Sequence, residues 1–244
     1  VNRTRPESPG RANLLAEADF LLGLDASPRP PAPARVAVAS VESPADALDR
    51  LRRRHDAECP HCTAATGHRQ TVFGEGNPHA RLFLVGEAPG ETEDRLGRPL
   101  VGRSGEKLDD MLRAMGFGRD EVYIANVLKS RPPEDRTPLD HEIAACGPYL
   151  EEQIRLVRPE VIVALGGPAA KFLLRSPEGI TRLRGVWGSV RVATLVPGET
   201  IEIPVLPTFH PAYLLRNYTP ETRRQVWEDL QRVQRRLRGE PDPD

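Results

Sequence analysis

A three-layer α/β/α fold with a central four-stranded parallel sheet is what the sequence predicts, on three observations. The 244 residues, 39% hydrophobic and 28% charged, suit one large domain with appendages and supply enough apolar surface for a real core. From about residue 70, short apolar runs alternate with stretches whose apolar residues recur at helical spacing. Strands that alternate with helices imply a parallel sheet covered on both faces.

In chain order, Arg81 to Val85 reads as a short buried strand ending in glycine. Ser104 to Met115 places Leu108, Met111, Leu112 and Met115 on one helical face. Glu121 to Asn126 is a second strand. Pro138 to Val157 is a helix with Ile143, Leu150, Ile154 and Val157 facing the core. Val161 to Leu165 is a third strand, followed by Gly166-Gly167 and a short helix. Ile203 to Leu206 is the fourth strand, and Thr219 to Leu237 closes with a helix carrying Val226, Leu230 and Val233.

The ends differ from this body. Seven of the 25 prolines lie in residues 1–50, most of them in Ser27-Pro28-Arg29-Pro30-Pro31-Ala32-Pro33, an extended, solvated composition. Residues 12–24 are apolar at helical spacing, which suits either a short helix folded back on the core or a docking peptide for a partner. The expected organisation is a flexible extension over 1–50, a folded domain over 51–238 and a disordered tail over 239–244.

Composition excludes several classes. No apolar run approaches the roughly 18–20 residues of a membrane span, and the first residues lack a basic-then-apolar leader pattern. Three cysteines cannot close a disulfide framework, so a reducing compartment, the cytoplasm, is expected. A net charge of −1 excludes a globally basic nucleic-acid coat protein but not a local basic groove. Nearly all the cations are arginine, with lysine only at 107, 129 and 171.

Ligands of open α/β sheets sit beyond the carboxyl ends of the strands. Those ends carry Gly86-Glu87-Ala88-Pro89-Gly90, Asn126, Gly166-Gly167 and His210, so glycines, a carboxylate, an amide and an imidazole converge on one edge. Separately, Cys59-Pro60-His61-Cys62 has metal-ligand spacing, which alone suits zinc, a redox pair or a cluster.

The blocks Val85 to Asp94, Gly97-Arg98-Pro99-Leu100-Val101-Gly102, Asn126-Val127-Leu128-Lys129-Ser130-Arg131-Pro132-Pro133 and His210-Pro211-Ala212-Tyr213-Leu214-Leu215-Arg216 resemble family 4 uracil-DNA glycosylases. These are iron–sulfur DNA-repair enzymes. The resemblance runs from about Cys59 to Arg236 with every block in order. It implies hydrolysis of the bond between uracil and deoxyribose in DNA, by a monomer. His210 would donate to the uracil oxygen on which charge develops. Asn126 would read uracil by pairing with N3–H and O4, a pattern cytosine reverses. Gly86 and Ala88 would let backbone approach the flipped nucleotide, with Leu100 as an apolar wall. Ala88 stands where better-known uracil glycosylases place an aspartate base, which leaves Glu87 or Glu93 to orient the attacking water. Lys129, Arg131, Arg136, Arg184 and Ser104 are candidate phosphate contacts, and Leu214, Leu215 and Arg216 a candidate wedge that fills the vacated stack.

Three departures from the family pattern stand out. The family holds a [4Fe–4S] cluster through four cysteines; here Cys59, Cys62 and Cys146 keep register and Ser130 occupies the remaining position. Ser130 could ligate as an alkoxide, His61 could substitute, three cysteines with His61 could hold zinc, or the cluster could be three-iron, labile or absent. Leu100 replaces a phenylalanine that stacks on uracil, so weaker binding or a looser choice of base is expected. Asp135 replaces an asparagine and adds negative charge near DNA. These changes keep open a non-catalytic damage-binding protein, or a glycosylase for another deaminated base such as hypoxanthine or xanthine.

Overall fold

The computed structural model describes residues 42–65, 67–194, 196 and 198–242, and in it the alternation becomes a six-stranded sheet. The order is α1 (Pro44–Glu58), α2 (Pro60–Ala64), β1 (Glu75–Gly76), β2 (Leu82–Gly86), α3 (Glu91–Leu96), α4 (Arg103–Met115) and β3 (Tyr123–Asn126). A 3-10 turn at Pro133–Asp135 leads into α5 (Asp140–Val157), β4 (Val161–Leu165), α6 (Gly167–Leu174) and α7 (Ile180–Leu183). Then come β5 (Gly188–Ala193), β6 (Thr200–Thr208), α8 (Pro211–Arg216) and α9 (Pro220–Leu237).

Across the sheet the strands run β1-β3-β2-β4-β6-β5. The inner four, β3, β2, β4 and β6, are parallel and are the four the sequence predicts. Two antiparallel edge strands, β1 and β5, extend the sheet beyond that expectation. β1 is too short to show a period. β5 does alternate, with Val190 and Val192 buried and Ser189 and Arg191 exposed, as befits an edge strand rather than a fully buried run.

Side-chain alternation sorts the core into two layers. Phe83 and Val85 of β2, with Ile162 and Ala164 of β4, face α1, α5 and α6. Leu82 and Leu84, with Val161, Val163 and Leu165, face α4, α8 and α9. Leu48 and Leu51 of α1 are buried in the first layer, so α1, which begins within the segment expected to be extension, is part of the folded body. The compact unit starts at Glu42; the expected short helix and proline-rich stretch before it lie outside the described residues. At the other end, the expected loose tail is held at Asp242, whose carboxylate accepts from Trp187 Nε1 at 2.6 Å and Arg232 Nη2 at 2.6 Å.

One polar lock joins the end of β6 to α9. Buried Asp229 accepts from Thr208 Oγ1 at 2.6 Å and from Arg184 Nη2 at 2.6 Å and Nε at 3.2 Å. Arg184 also lies over the Phe209 ring, next to His210. It is therefore a structural brace and not the phosphate contact the sequence suggests. Asp229→Ala strands a largely buried guanidinium, and loss of about 3 kcal/mol is expected. A lower urea midpoint with an unchanged denaturant slope would register it.

Candidate active site

The parallel register sets Gly86, the last residue of β2, beside Asn126, the last of β3. A Cβ on Gly86 would fall 2.2 Å from Asn126 Oδ1, so only glycine leaves room for that amide. The same position lies 3.5 Å from Leu100 Cδ1. Asn126 is fully buried, yet neither Oδ1 nor Nδ2 has a hydrogen-bond partner among the described residues. A buried amide with donor and acceptor both idle is costly, and a ligand edge that presents one acceptor and one donor would satisfy it.

β6 delivers the second group. His210 caps α8, its Nδ1 accepting from the Ala212 amide at 3.1 Å. That contact leaves the ring proton on Nε2, which is thus a donor. Burial, then the positive charge of Arg216, pulls the His210 pKa down to about 4, against an opposing pull from Glu93. The imidazole is neutral at physiological pH.

A cleft of about 530 Å³ opens at these strand ends. Glu87, Ala88, Leu100, Ser104, Arg136, His210 and Arg216 line it. A second hollow of about 600 Å³ lies between α4 and α9 and carries none of the strand-end groups. Glu87 has no side-chain partner among the described residues, and burial raises its pKa. Glu93 is different: its carboxylate accepts from the amides of Gly90 at 3.2 Å, Val101 at 2.9 Å and Gly102 at 2.8 Å. Both oxygens are committed to joining two turns of the cleft wall, which corrects its assignment as a water-activating group.

Leu100 projects from a strained backbone, φ +50°. Arg119 holds it there, donating from Nη1 to the Leu100 carbonyl at 2.9 Å and from Nη2 to that of Pro99 at 2.5 Å. Gly105 completes the fit: a Cβ there would be 1.9 Å from the Leu100 oxygen. Neither Arg119 nor Gly105 announced this role in the sequence, because the contact joins residues of two different turns.

The candidate DNA contacts divide sharply. Lys129 is fully buried, donating to the Asn126 carbonyl at 2.7 Å and Gln153 Oε1 at 2.5 Å, so it cannot hold a phosphate. Arg131 is paired with Asp135 and Arg136 with Glu142, though Arg136 still borders the cleft. Leu214 is buried in the core and is not a wedge, whereas Leu215 is 36% exposed. Arg216 at the cleft and the exposed Arg103, which the sequence reading passed over at the start of α4, have no ion-pair partner among the described residues.

Cys59, Cys62 and Cys146 are free, buried and close, with Sγ of Cys146 at 3.6 Å from Cys59 and 3.3 Å from Cys62. Hydrogen bonding from Cys146 pulls the Cys62 thiol well below its usual range and drives Cys146 up in exchange. Ser130 joins this group at its edge, its Oγ 3.4 Å from Cys62 Sγ and 3.1 Å from His61 Nε2. One residue the sequence reading missed is also present: His55, buried, with all four ligand atoms within 4.8 Å of one another. Its place four residues before Cys59, one helical turn, was the available signal. Three soft thiols and an imidazole fit a thiolate-binding metal centre.

Fold and site together define a parallel α/β protein with a polar cleft at its strand ends and a buried cluster of three cysteines and a histidine that could hold a metal. A family model described as the Uracil DNA glycosylase superfamily matches residues 73–231. A type-4 uracil-DNA glycosylase of Thermotoga maritima is 44% identical over 184 residues, covering 75% of this chain and 91% of the relative. One from Sulfurisphaera tokodaii is 38% identical, covering 77% and 84%. A type-5 uracil-DNA glycosylase of Pyrobaculum aerophilum is more distant, 30% identical over 66% of this chain. The chain belongs to the uracil-DNA glycosylase superfamily and, within it, to the type-4 group.

The His210 assignment is directly measurable. Nitrogen-15 NMR should show a neutral Nε2–H ring that titrates at about 4, below the ordinary 6.5. Between those two values only the unfolded chain takes the proton, so stability should fall as pH drops through that window. A midpoint near 6.5 would show that burial does not depress the ring.

Proposed function

We propose that this protein hydrolyses the N-glycosidic bond of uracil in DNA, leaving an abasic site for base excision repair. The observation that carries the reading is the idle, buried amide of Asn126 beside a cleft that also holds a neutral imidazole donor. A uracil flipped out of the stack supplies what that amide lacks, N3–H for Oδ1 and O4 for Nδ2. Cytosine would meet donor with donor and acceptor with acceptor, which leaves buried groups unpaired.

As the bond from C1′ to N1 breaks, the base departs as an anion and the sugar becomes oxocarbenium-like. The His210 Nε2–H is free to donate to O2, where charge collects, and a neutral donor at that point needs no proton from solvent. Water then adds its hydroxide to C1′, and its remaining proton ends on the released base. Glu87, unpaired at the cleft, is the group suited to orient that water. Backbone amides and Ser104 at the start of α4, with Arg103 and Arg216, suit the phosphates on either side, and Leu215 suits the gap in the stack.

Kinship with the type-4 enzymes and the three retained cysteines support a [4Fe–4S] cluster, whose contribution when bound is to tie the α1–α2 segment to α5. Among the described residues no helix is long and apolar enough to cross a membrane. Free buried cysteines suit a reducing compartment, and the cytoplasm is the proposed location.

An oligonucleotide with one uracil, treated with alkali after incubation, tests the reading. Scission is expected with uracil and not with thymine. His210→Ala should lower the rate about 10²–10³-fold, the usual effect of losing such a donor. No scission by protein with its metal centre intact would sink the proposal, and release of another deaminated base would redirect it. Leu100→Phe restores an aromatic face and should lower KM for the uracil strand; an unchanged KM would show that the leucine wall suffices.

A further inference from the structure

We propose that His55, through Nε2, is the fourth protein ligand of the metal centre built on Cys59, Cys62 and Cys146, and that Ser130 is not a ligand. The proposal rests on the reading of those cysteines as metal ligands. It concerns how this chain meets the loss of the cysteine that Ser130 replaces.

The tautomer comes first. His55 Nδ1 lies 2.9 Å from Asp56 Oδ1, and the same oxygen accepts from Thr71 Oγ1 at 2.7 Å. A carboxylate on Nδ1 holds the ring proton there and leaves the Nε2 lone pair bare. Nε2 is buried and accepts no hydrogen bond of ordinary geometry among the described residues. A carboxylate that fixes one ring nitrogen while the other faces a metal is the usual outer arrangement of metal-bound histidine.

Orientation follows. The ring is fully buried and held edge-on against Tyr149, centroids 4.9 Å apart, with Phe73 on another side at 5.8 Å. A ligand atom of His55 falls within 4.8 Å of every cysteine sulfur. No solvent reaches it, and besides Asp56 the ring's side-chain partner is Cys62, itself one of the proposed ligands.

The competing donors are engaged elsewhere. Ser130 Oγ stands between Cys62 Sγ and His61 Nε2, placed to donate to a Cys62 thiolate. His61 spends Nε2 on that serine and turns Nδ1 toward Glu142, 3.8 Å away. Serine also requires ionisation of a hard, basic hydroxyl before it can ligate, whereas a neutral imidazole binds iron or zinc directly. Replacement of an anionic thiolate by a neutral imidazole removes one negative charge from the centre and raises its reduction potential, the direction histidine ligation takes in Rieske centres.

The test compares full-length wild type with His55→Ala, His55→Cys and Ser130→Ala. Iron, sulfide and zinc are assayed, with visible absorption and EPR of the reduced protein. His55→Ala should lose at least half of its metal, Ser130→Ala should keep the wild-type amount, and His55→Cys should keep the metal at a lower reduction potential. Wild-type EPR should carry a nitrogen hyperfine coupling absent from His55→Cys, a readout that survives if the alanine variant fails to fold. Full metal in His55→Ala with loss in Ser130→Ala, or an iron centre whose reduced EPR shows no nitrogen coupling, would overturn the proposal. Zinc in place of iron, with imidazole scattering at the zinc edge, would support the His55 ligand and overturn the cluster. Uracil scission is read separately, so the function can fail or stand independently of this result.

Discussion

A buried lysine ties the pocket to the metal site. Lys129 is one of three lysines in an arginine-dominated chain, and it has no exposure at all. Its ammonium is shared between the Asn126 carbonyl and Gln153, and it lies 5.6 Å from the centroid of Phe73. Burial pushes its pKa down to about 7. Gln153 passes the connection on, donating to the Phe73 carbonyl and to Tyr123 Oη. The next residue is Ser130, at the cysteine cluster, and Leu128 packs into that cluster. Asn126 can keep an unpaired amide because its backbone is held from beneath. The chain between pocket and cysteine cluster is short and buried throughout.

Charge at the cleft is largely spent within the protein. Arg131 closes on Asp135, Arg136 on Glu142 and Arg184 on Asp229. Asp135, one of the departures from the family pattern, sits at φ +55° and takes both donors of Arg131. An asparagine there would tolerate the same backbone without neutralising the arginine. Among the described residues, Arg216 at the cleft and Arg103 at the start of α4 have no ion-pair partner. A chain with net charge −1 is not a basic coat, and these unpaired arginines are what the proposed DNA contact rests on.

The other two departures meet different surroundings. Leu100 keeps its demanding backbone because Arg119 and Gly105 hold its carbonyl, whatever side chain it bears. At Ser130 the missing thiolate leaves Cys59, Cys62 and Cys146, all within 4.8 Å of a ligand atom of buried His55, the arrangement on which the proposed ligation rests.

The four parallel strands and their helices were legible in the sequence because each is a continuous apolar run or a regular helical stripe, a local signal. So were Gly86, Asn126 and His210, which chain order puts at strand ends. β1 was not, since two residues carry no period, and its place depends on Tyr123 and Ile124 opposite. The sequence supplied residue types at 87, 93, 129, 184 and 214 but not their surroundings. Glu87 faces the cleft while Glu93 is consumed by three amides. Lys129 and Leu214 are interior, and Arg184 belongs to Asp229. His55 comes within 4.8 Å of the three cysteines through α1, which packs against α5. Those outcomes rest on contacts between residues far apart in the chain, on which oxygen or nitrogen is already satisfied, and only tertiary packing decides that.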